Sequence, residues 1–323
     1  MMNSRTQGSL RRWPSRLGLV LILAATMAFG AQAAPAPKLS VIASFSVLAD
    51  LVHQIGGDHV TVRPLVGPDG DAHVYQPTPG DVRDLGRAQV LVVNGLGLEG
   101  WMDRLVASSG FKGERIVATA GIKPLTMEPE DEDTAPKSTH SPSKPALVSD
   151  PHAWQSIANG MIYVDNIARG LSQADPANAA DYAARAAAYK KQLAELDAWV
   201  KSELAAVPSP KRRVITTHDA FQYFGAAYGI QFLAAEGVST ESDPSAQHIA
   251  KLIAQVRKEH VRALFIENMS DPRLIEQIAH DGGAVLGGEL YSDALSPPGG
   301  PADTYIKMFR NNVPQLKAGM LKN

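Results

Sequence analysis

The sequence predicts an α/β protein built as two parallel-sheet lobes joined by one long connecting α-helix. Three observations lead there. Short apolar runs alternate with amphipathic helical stretches from Lys38 onward. One stretch near the middle then holds a helical period without interruption. The alternation resumes after it. A chain of 323 residues that is 45% hydrophobic has ample material for two cores.

In the first lobe, Leu39–Phe45 reads as a strand, followed by a helix through Leu48, Leu51, Val52 and Ile55 that Gly56-Gly57 terminates. Val60–Val66 is the second strand, Pro79–Ala88 a helix, Val90–Asn94 the third strand, Trp101–Val106 a helix and Arg115–Ala118 the fourth strand. Thr126–Ser149 breaks the pattern with Glu128, Glu130, Asp131, Glu132, Asp133, four prolines and His140. It has too little apolar surface to offset its ordering entropy, and we read it as a flexible acidic loop over 126–149.

Asp175-Pro176 supplies an N-cap and a proline at the first helical position. Tyr182, Ala186, Tyr189, Leu193, Leu196, Val200 and Leu204 then recur three or four residues apart, and Pro208 and Pro210 stop the helix. Val214–Thr217, Ile230–Leu233, Val261–Ile266 and Ala284–Gly287 read as the strands of the second lobe. The expected organisation is an N-lobe over 34–174, a connecting helix over 175–208 and a C-lobe over 209–323. The two lobes share a pattern but no clear sequence repeat.

Residues 1–33 stand apart. Arg5, Arg11, Arg12 and Arg16 precede an apolar run from Leu17 to Gly30, too short for a membrane span, and Ala31-Gln32-Ala33 has the small-residue form of a cleavage site. The expectation is a signal peptide over 1–33 of the ordinary Sec kind and a location in the periplasm. Without it the formal charge moves from −2 to −6, with 27 basic against 33 acidic residues. Such a chain has no electrostatic footprint for nucleic acid and no basic cluster for anionic lipid. Cysteine is absent. From that we expect a freely soluble protein with no lipid anchor, and any metal site built from His and carboxylate.

Of the nine histidines, His53, His59, His248, His260 and His280 lie in or beside helical stretches and read as structural or surface residues. Three others lie in loops beside strands or ahead of helices: His73 in Asp71-Ala-His-Val-Tyr-Gln-Pro-Thr-Pro79, His152 in Asp150-Pro-His-Ala-Trp154, and His218 in Thr217-His-Asp-Ala-Phe221. Asp293, in Leu290-Tyr-Ser-Asp-Ala-Leu295, follows the last strand in the same manner. Open parallel sheets collect ligands beyond the carboxyl ends of their strands, where all four positions fall. Three imidazoles and a carboxylate are a tetrahedral donor set for Zn²⁺ with a net charge near +1 and no position left for an activated water. Spacings of 79, 66 and 75 residues make no compact motif, and loop histidines also cap helices and orient neighbours. Gly95-Leu-Gly97 follows a strand but lacks a third glycine at dinucleotide-loop spacing, and Glu99 would repel a pyrophosphate.

Taken together, Asp71-Ala-His73 with Pro77-Thr-Pro79, Asn94-Gly-Leu-Gly-Leu-Glu99 with Trp101, Asp150-Pro-His-Ala-Trp154, Thr217-His-Asp-Ala-Phe221 with Tyr223-Phe224, and Leu290-Tyr-Ser-Asp-Ala-Leu295 resemble the zinc/manganese branch of the ABC-importer periplasmic solute-binding proteins, from about Leu39 to Leu316. The resemblance implies a metal in the interlobe cleft, held by His73 and His152 of the N-lobe and His218 and Asp293 of the C-lobe. It implies capture of Zn²⁺ as transported ligand, delivery to an ABC-type metal permease in the inner membrane, and no enzymatic activity. The expected protein is a monomer, and a periplasmic metal donor is an open partner. Manganese-type relatives commonly carry Glu in the third ligand position. His218 raises the nitrogen count to three, which suits Zn²⁺ and suits the harder Mn²⁺ less well. Ala72 replaces the proline of the family's Asp-Pro-His, a departure that could loosen the loop. Zinc-type members also carry an acid- and His-rich insertion between the first two ligands. Here it holds one histidine, His140, and reads as a solvated linker or a weak cation collector. The alternatives are a manganese-binding importer component and a periplasmic zinc hydrolase. For the latter, Glu267 is the best candidate base, although it could equally orient a ligating histidine.

Overall fold

The computed structural model describes residues 37–127, 148–241 and 244–323. The signal-peptide reading of 1–33 and the acidic segment with His140 lie outside the described residues. The first parallel sheet holds β1 (Leu39–Phe45), β2 (Val60–Val66), β3 (Val90–Val93) and β4 (Glu114–Val117) in the order β2-β1-β3-β4. Its strands are joined by the helices α1 (Ser46–Gly56), α2 (Pro79–Arg87) and α3 (Met102–Ser109). The short strands β5 (Thr126–Met127) and β6 (Val148–Ser149) pair antiparallel, Thr126 opposite Ser149 and Met127 opposite Val148. The two ends of the segment read as a loop are therefore a ribbon. Then come α4 (Ile157–Ala174) and α5 (Ala179–Ala205).

The second sheet holds β7 (Arg213–Thr216), β8 (Gln231–Ala234), β9 (Ala263–Glu267) and β10 (Val285–Leu290) in the order β10-β9-β7-β8. Counted from its own first strand, this is the order of the first sheet. The repeat that the sequence hides is one of topology. Its helices are α6 (Gln222–Tyr228), α7 (Ala246–Glu259) and α8 (Pro272–Gly282), and α9 (Tyr305–Met320) closes the chain.

The long helix follows its periodicity: Tyr182, Ala186, Tyr189, Leu193, Leu196, Val200 and Leu204 are its buried residues. At ~1.5 Å per residue it runs about 40 Å, packed against α1 and α4 at one end of the chain and α9 at the other. Its start differs from expectation. Asp175 caps a 3₁₀ turn, Pro176–Asn178, before the α-helix begins. Asp175 Oδ2 accepts from Asn178 Nδ2 and from the Tyr182 hydroxyl, each at 2.7 Å, which ties the 3₁₀ turn to the first turn of α5.

One hydrophobic core is continuous from the first sheet through α4 and α5 to α9 and the inner side of the second sheet. A smaller core, around Ile215, Leu252, Val256, Leu264, Ile275 and Ile278, lies beneath α7 and α8. Apolar continuity of this extent opposes wide independent motion of the two sheets and leaves small loop rearrangements as the cheaper kind.

Candidate metal centre

Each residue of interest sits on a loop leaving a strand. His73 lies between β2 and α2, His152 between β6 and the 3₁₀ turn Ala153–Gln155, His218 after β7 and Asp293 after β10. Folding brings all four together: one ligand atom from each lies within 4.8 Å of the others, and all four residues are buried. Asp293 Oδ2 is the focus, 3.1 Å from His73 Nε2, 3.3 Å from His218 Nε2 and 3.5 Å from His152 Nε2. His73 Nε2 and His152 Nε2 are 3.2 Å apart.

Neither Asp293 oxygen, nor either ring nitrogen of His218, has a hydrogen-bond partner in the protein; the His218 imidazole lies close to the Asp293 and Glu267 carboxylates but is not angled to donate to them. A fully buried carboxylate without hydrogen bonds is costly unless a cation meets it. Donors about 2.05 Å from a tetrahedral Zn²⁺ stand about 3.3 Å from one another, the range of the four separations above. The donor set thus fits a divalent cation in size and in chemistry.

Carboxylates turn two of the rings inward. Asp150 Oδ1 hydrogen-bonds His152 Nδ1 at 2.8 Å and accepts the His152 backbone N–H at 2.9 Å. Glu267 Oε2 lies 2.8 Å from His218 Nδ1, and its Oε1 accepts the His218 backbone N–H at 2.9 Å. With His152 Nδ1 hydrogen-bonded to Asp150 and His218 Nδ1 facing the Glu267 carboxylate, the Nε2 of each ring is left for the centre. His73 has the same local turn, with Asp71 Oδ1 accepting its backbone N–H at 2.8 Å, a bond made with Ala72 in the proline's place.

Burial alone would depress the His152 imidazole, but Asp293 and Asp150 outweigh it and lift it to about 9. His218 is likewise held well above the ordinary histidine range, burial opposing and Glu267 and Asp293 prevailing. Asp293 is held well below the carboxylate range, since His152 and His218 overcome the effect of its burial. These are the electrostatics of a site in which protons stand in for a cation.

The loops are locked by residues whose role the sequence did not disclose. In Asn94-Gly-Leu-Gly-Leu-Glu99, the Glu99 carboxylate accepts from the backbone N–H groups of Asn94 (2.7 Å) and Gly95 (3.1 Å) and from Ser44 Oγ (2.6 Å). Gly95 (φ 87°) and Gly97 (φ 90°) permit that tight turn. Its own carboxylate thus takes the donors a phosphate would need. Asn94 Nδ2 holds the Pro151 carbonyl at 2.9 Å, and Trp101 Nε1 holds the Ala72 carbonyl at 2.8 Å, so this one motif positions both first-lobe histidine loops. Across the cleft, Trp154 Nε1 and Gln155 Nε2 both donate to the Ser292 carbonyl at 2.9 Å, immediately before Asp293. The Tyr223 hydroxyl donates to the Asp150 carbonyl and accepts from Leu125 N–H, each at 3.0 Å. Thr78 of Pro77-Thr-Pro79 forms a capping box with Asp81 at the start of α2, where Pro79 takes the first helical position.

The other histidines serve elsewhere. His59 pairs with Asp181 at 2.9 Å, His248 Nε2 lies 3.1 Å from the Ala234 carbonyl, His260 ends α7 in the left-handed conformation, and His280 lies beside Asp281. Glu267, weighed as a base, sits behind His218 on the side away from Asp293.

Comparison with known proteins gives the family. The family model described as "Zinc-uptake complex component A periplasmic" matches residues 41–319. The manganese-binding lipoprotein MntA of Bacillus subtilis is 34% identical over 281 residues, 85% of this chain and 88% of that protein. The iron ABC transporter substrate-binding lipoprotein MtsA of Streptococcus pyogenes is 30% identical over 309 residues, 94% of this chain and 96% of that one. The solved periplasmic zinc-binding protein TroA of Treponema pallidum superposes with a TM-score of 0.77 at 30% identity, covering 88% of this chain and 99% of the other.

These relatives correct one expectation. Cysteine content alone led to a freely soluble protein with no lipid anchor, whereas MntA and MtsA are lipoproteins, and that expectation is withdrawn. There is a physical reason for anchoring in such proteins: tethering a carrier at the membrane raises its effective concentration at a membrane-embedded importer. With the match over residues 41–319 and the kinship to MntA and MtsA, the chain belongs to the zinc-uptake complex component A family, the metal-binding, substrate-binding components of ABC importers.

Proposed function

We propose that this chain captures Zn²⁺ on His73, His152, His218 and Asp293 and delivers it to an ABC-type importer in the bacterial inner membrane. The observation that carries the reading is the donor count: three imidazole nitrogens facing one carboxylate oxygen at 3.1 to 3.5 Å. Nitrogen-rich, four-coordinate sites favour Zn²⁺ over Mn²⁺, both by ligand softness and by the Irving–Williams order. Asp150 and Glu267 behind two of the rings add negative charge that supports a divalent cation. The hydrolase alternative falls away: the family is a transport component, and Glu267 faces His218 Nδ1 rather than an open coordination position.

A manganese reading has its own support. MntA is a manganese-binding protein by name, and Asp293 Oδ1 is free of protein hydrogen bonds, so this carboxylate can bind through both oxygens and raise the coordination number to five. Metal content by mass spectrometry, on protein purified without added metal, separates the two. Stoichiometric zinc supports the reading, and manganese in its place overturns it.

A further inference from the structure

His152, His218 and Asp293 have no exposed surface, while His73 keeps 6%. Among the four, His73 alone lines a cavity of about 480 Å³ whose other walls include Gln76, Gly100, Trp101, Arg104 and Glu241. At about 30 Å³ per water, a hexahydrated divalent cation needs about 200 Å³, so the cavity has room for one still carrying its hydration shell. Glu241 puts a carboxylate on the wall of that space and Arg104 a guanidinium, so the wall carries one charge of each sign.

The segment carrying His73 hangs from two side-chain bonds. Trp101 Nε1, from the same lobe, holds the Ala72 carbonyl at 2.8 Å. Thr240 Oγ1, from the loop after β8 in the other lobe, donates to Asp71 Oδ2 at 2.6 Å, while Asp71 Oδ1 accepts the His73 backbone N–H. Further contacts from the second lobe fall at Asp69, where Asn268 Nδ2 meets its carboxylate at 2.8 Å and its N–H meets the Leu295 carbonyl at 3.1 Å. They hold the base of the loop and leave its tip to Thr240.

We infer that this cavity is the route by which the cation passes between solvent and the buried site, and that the Thr240–Asp71 hydrogen bond is the latch on that route. The inference rests on the four-residue reading proposed above. The last ligand to lose the cation on release, and the first to meet it on capture, is His73. Freeing Asp71 lets the 71–73 segment swing about its Trp101 anchor without disturbing the Asp150–His152 and Glu267–His218 pairs.

Two substitutions test it by stopped-flow capture of Zn²⁺ and by release into excess chelator. At Gly100 an added Cβ meets nothing within 4 Å and the backbone is not in the left-handed region, so a side chain there starts in open space on the cavity wall; Gly100→Trp should narrow the cavity, and its melting temperature checks that it folds. Capture and release should both slow at least fivefold with the dissociation constant unchanged within twofold, the signature of an obstructed path. Thr240→Val should accelerate release about tenfold, and Thr240→Ser, which keeps the hydroxyl, should restore the wild-type rate. Unchanged rates in Gly100→Trp overturn the route. Unchanged release in Thr240→Val, or equal acceleration in Thr240→Ser, overturns the latch. Wild-type protein that binds no Zn²⁺ overturns the four-residue reading, and the route with it, whereas wild-type binding with unmoved variant rates overturns the route alone.

Discussion

Glu267 grips His218 at both ends: one carboxylate oxygen stands 2.8 Å from the ring Nδ1, and the other accepts the backbone N–H of the same residue at 2.9 Å. The backbone bond holds the loop, and the second oxygen sets a negative charge beside the ring, both from a single side chain 49 residues away. Partners of this kind usually contribute 10- to 100-fold to metal affinity. Glu267→Gln should therefore raise the Zn²⁺ dissociation constant by about 10- to 100-fold while leaving one site per chain. Competition titration against a chelator of known affinity measures it. An unchanged constant would mean that the ring is held in place without the carboxylate.

Metal choice is testable at the same histidine. His218→Glu exchanges a nitrogen for oxygen and adds a negative charge, lowering the charge of the loaded donor set from near +1 to near 0. Carboxylate ligation suits the higher coordination numbers of Mn²⁺, so the ratio of Zn²⁺ to Mn²⁺ dissociation constants should move toward Mn²⁺, even with Zn²⁺ absolutely tighter. His218→Ala should weaken both metals. A ratio unmoved in His218→Glu places His218 outside the ligand set.

The pH dependence follows from the proton affinities of the metal-free site. Burial works against the His152 proton, but Asp293 and Asp150 raise its titration to about 9, and His218 is raised as well. The bound proton must leave before Nε2 can coordinate, so protons compete with metal at every pH below that value. Zn²⁺ affinity should fall as pH falls from about 9, steepening through the neutral range. Asp293, held ionised far into acid, adds nothing to this slope. Calorimetry near pH 8 in buffers of different ionisation enthalpy should register net proton release. Buffer-independent heats would show that the imidazoles are already neutral.

Stability offers a check away from the metal. Thr78 and Asp81 form the reciprocal capping box of α2, and Arg63 Nη2 meets Asp81 at 2.7 Å. Burial pushes the Asp81 carboxyl up, but Arg63, Thr78 and Tyr75 together draw it down to about 2. A carboxyl lowered on folding stabilises the protein fully above its unfolded value, ~3.9, and that stabilisation is lost as pH falls through about 2. Thr78→Ala should cost about 1 kcal/mol at neutral pH, read as a modest fall in Tm. Asp81→Asn should flatten the stability profile between about pH 4 and pH 2. A variant that melts like wild type at both pH values would mean the box does not stabilise the fold.

One site should bind one metal, and binding to the folded chain alone should raise its melting temperature with metal concentration. Calorimetry that finds two equal sites, or none that saturates, would rule out a single four-residue centre.

Much of what depends on residues close together in the chain was legible in the sequence. The seven positions spaced along α5 all turn inward because a helix repeats every 3.6 residues, and a repeat of that kind is visible within one window. The strands of both sheets were legible for the same reason, with ends displaced by one to three residues, the most at β10, which runs on to Leu290. The loops carrying His73, His152, His218 and Asp293 were marked by their motifs and by the resemblance those motifs carry. The tertiary structure decided what connects distant segments. The shared strand order of the two sheets, the service of Asn94, Glu99 and Trp101 to both histidine loops, and the grip of Trp154 and Gln155 on Ser292 join residues tens to more than a hundred positions apart. Glu267 shows the division most plainly. Its place at the end of β9 followed from local pattern, but whether it would face a metal or the back of a histidine depended on how β9 lies beside β7, which packing alone determines.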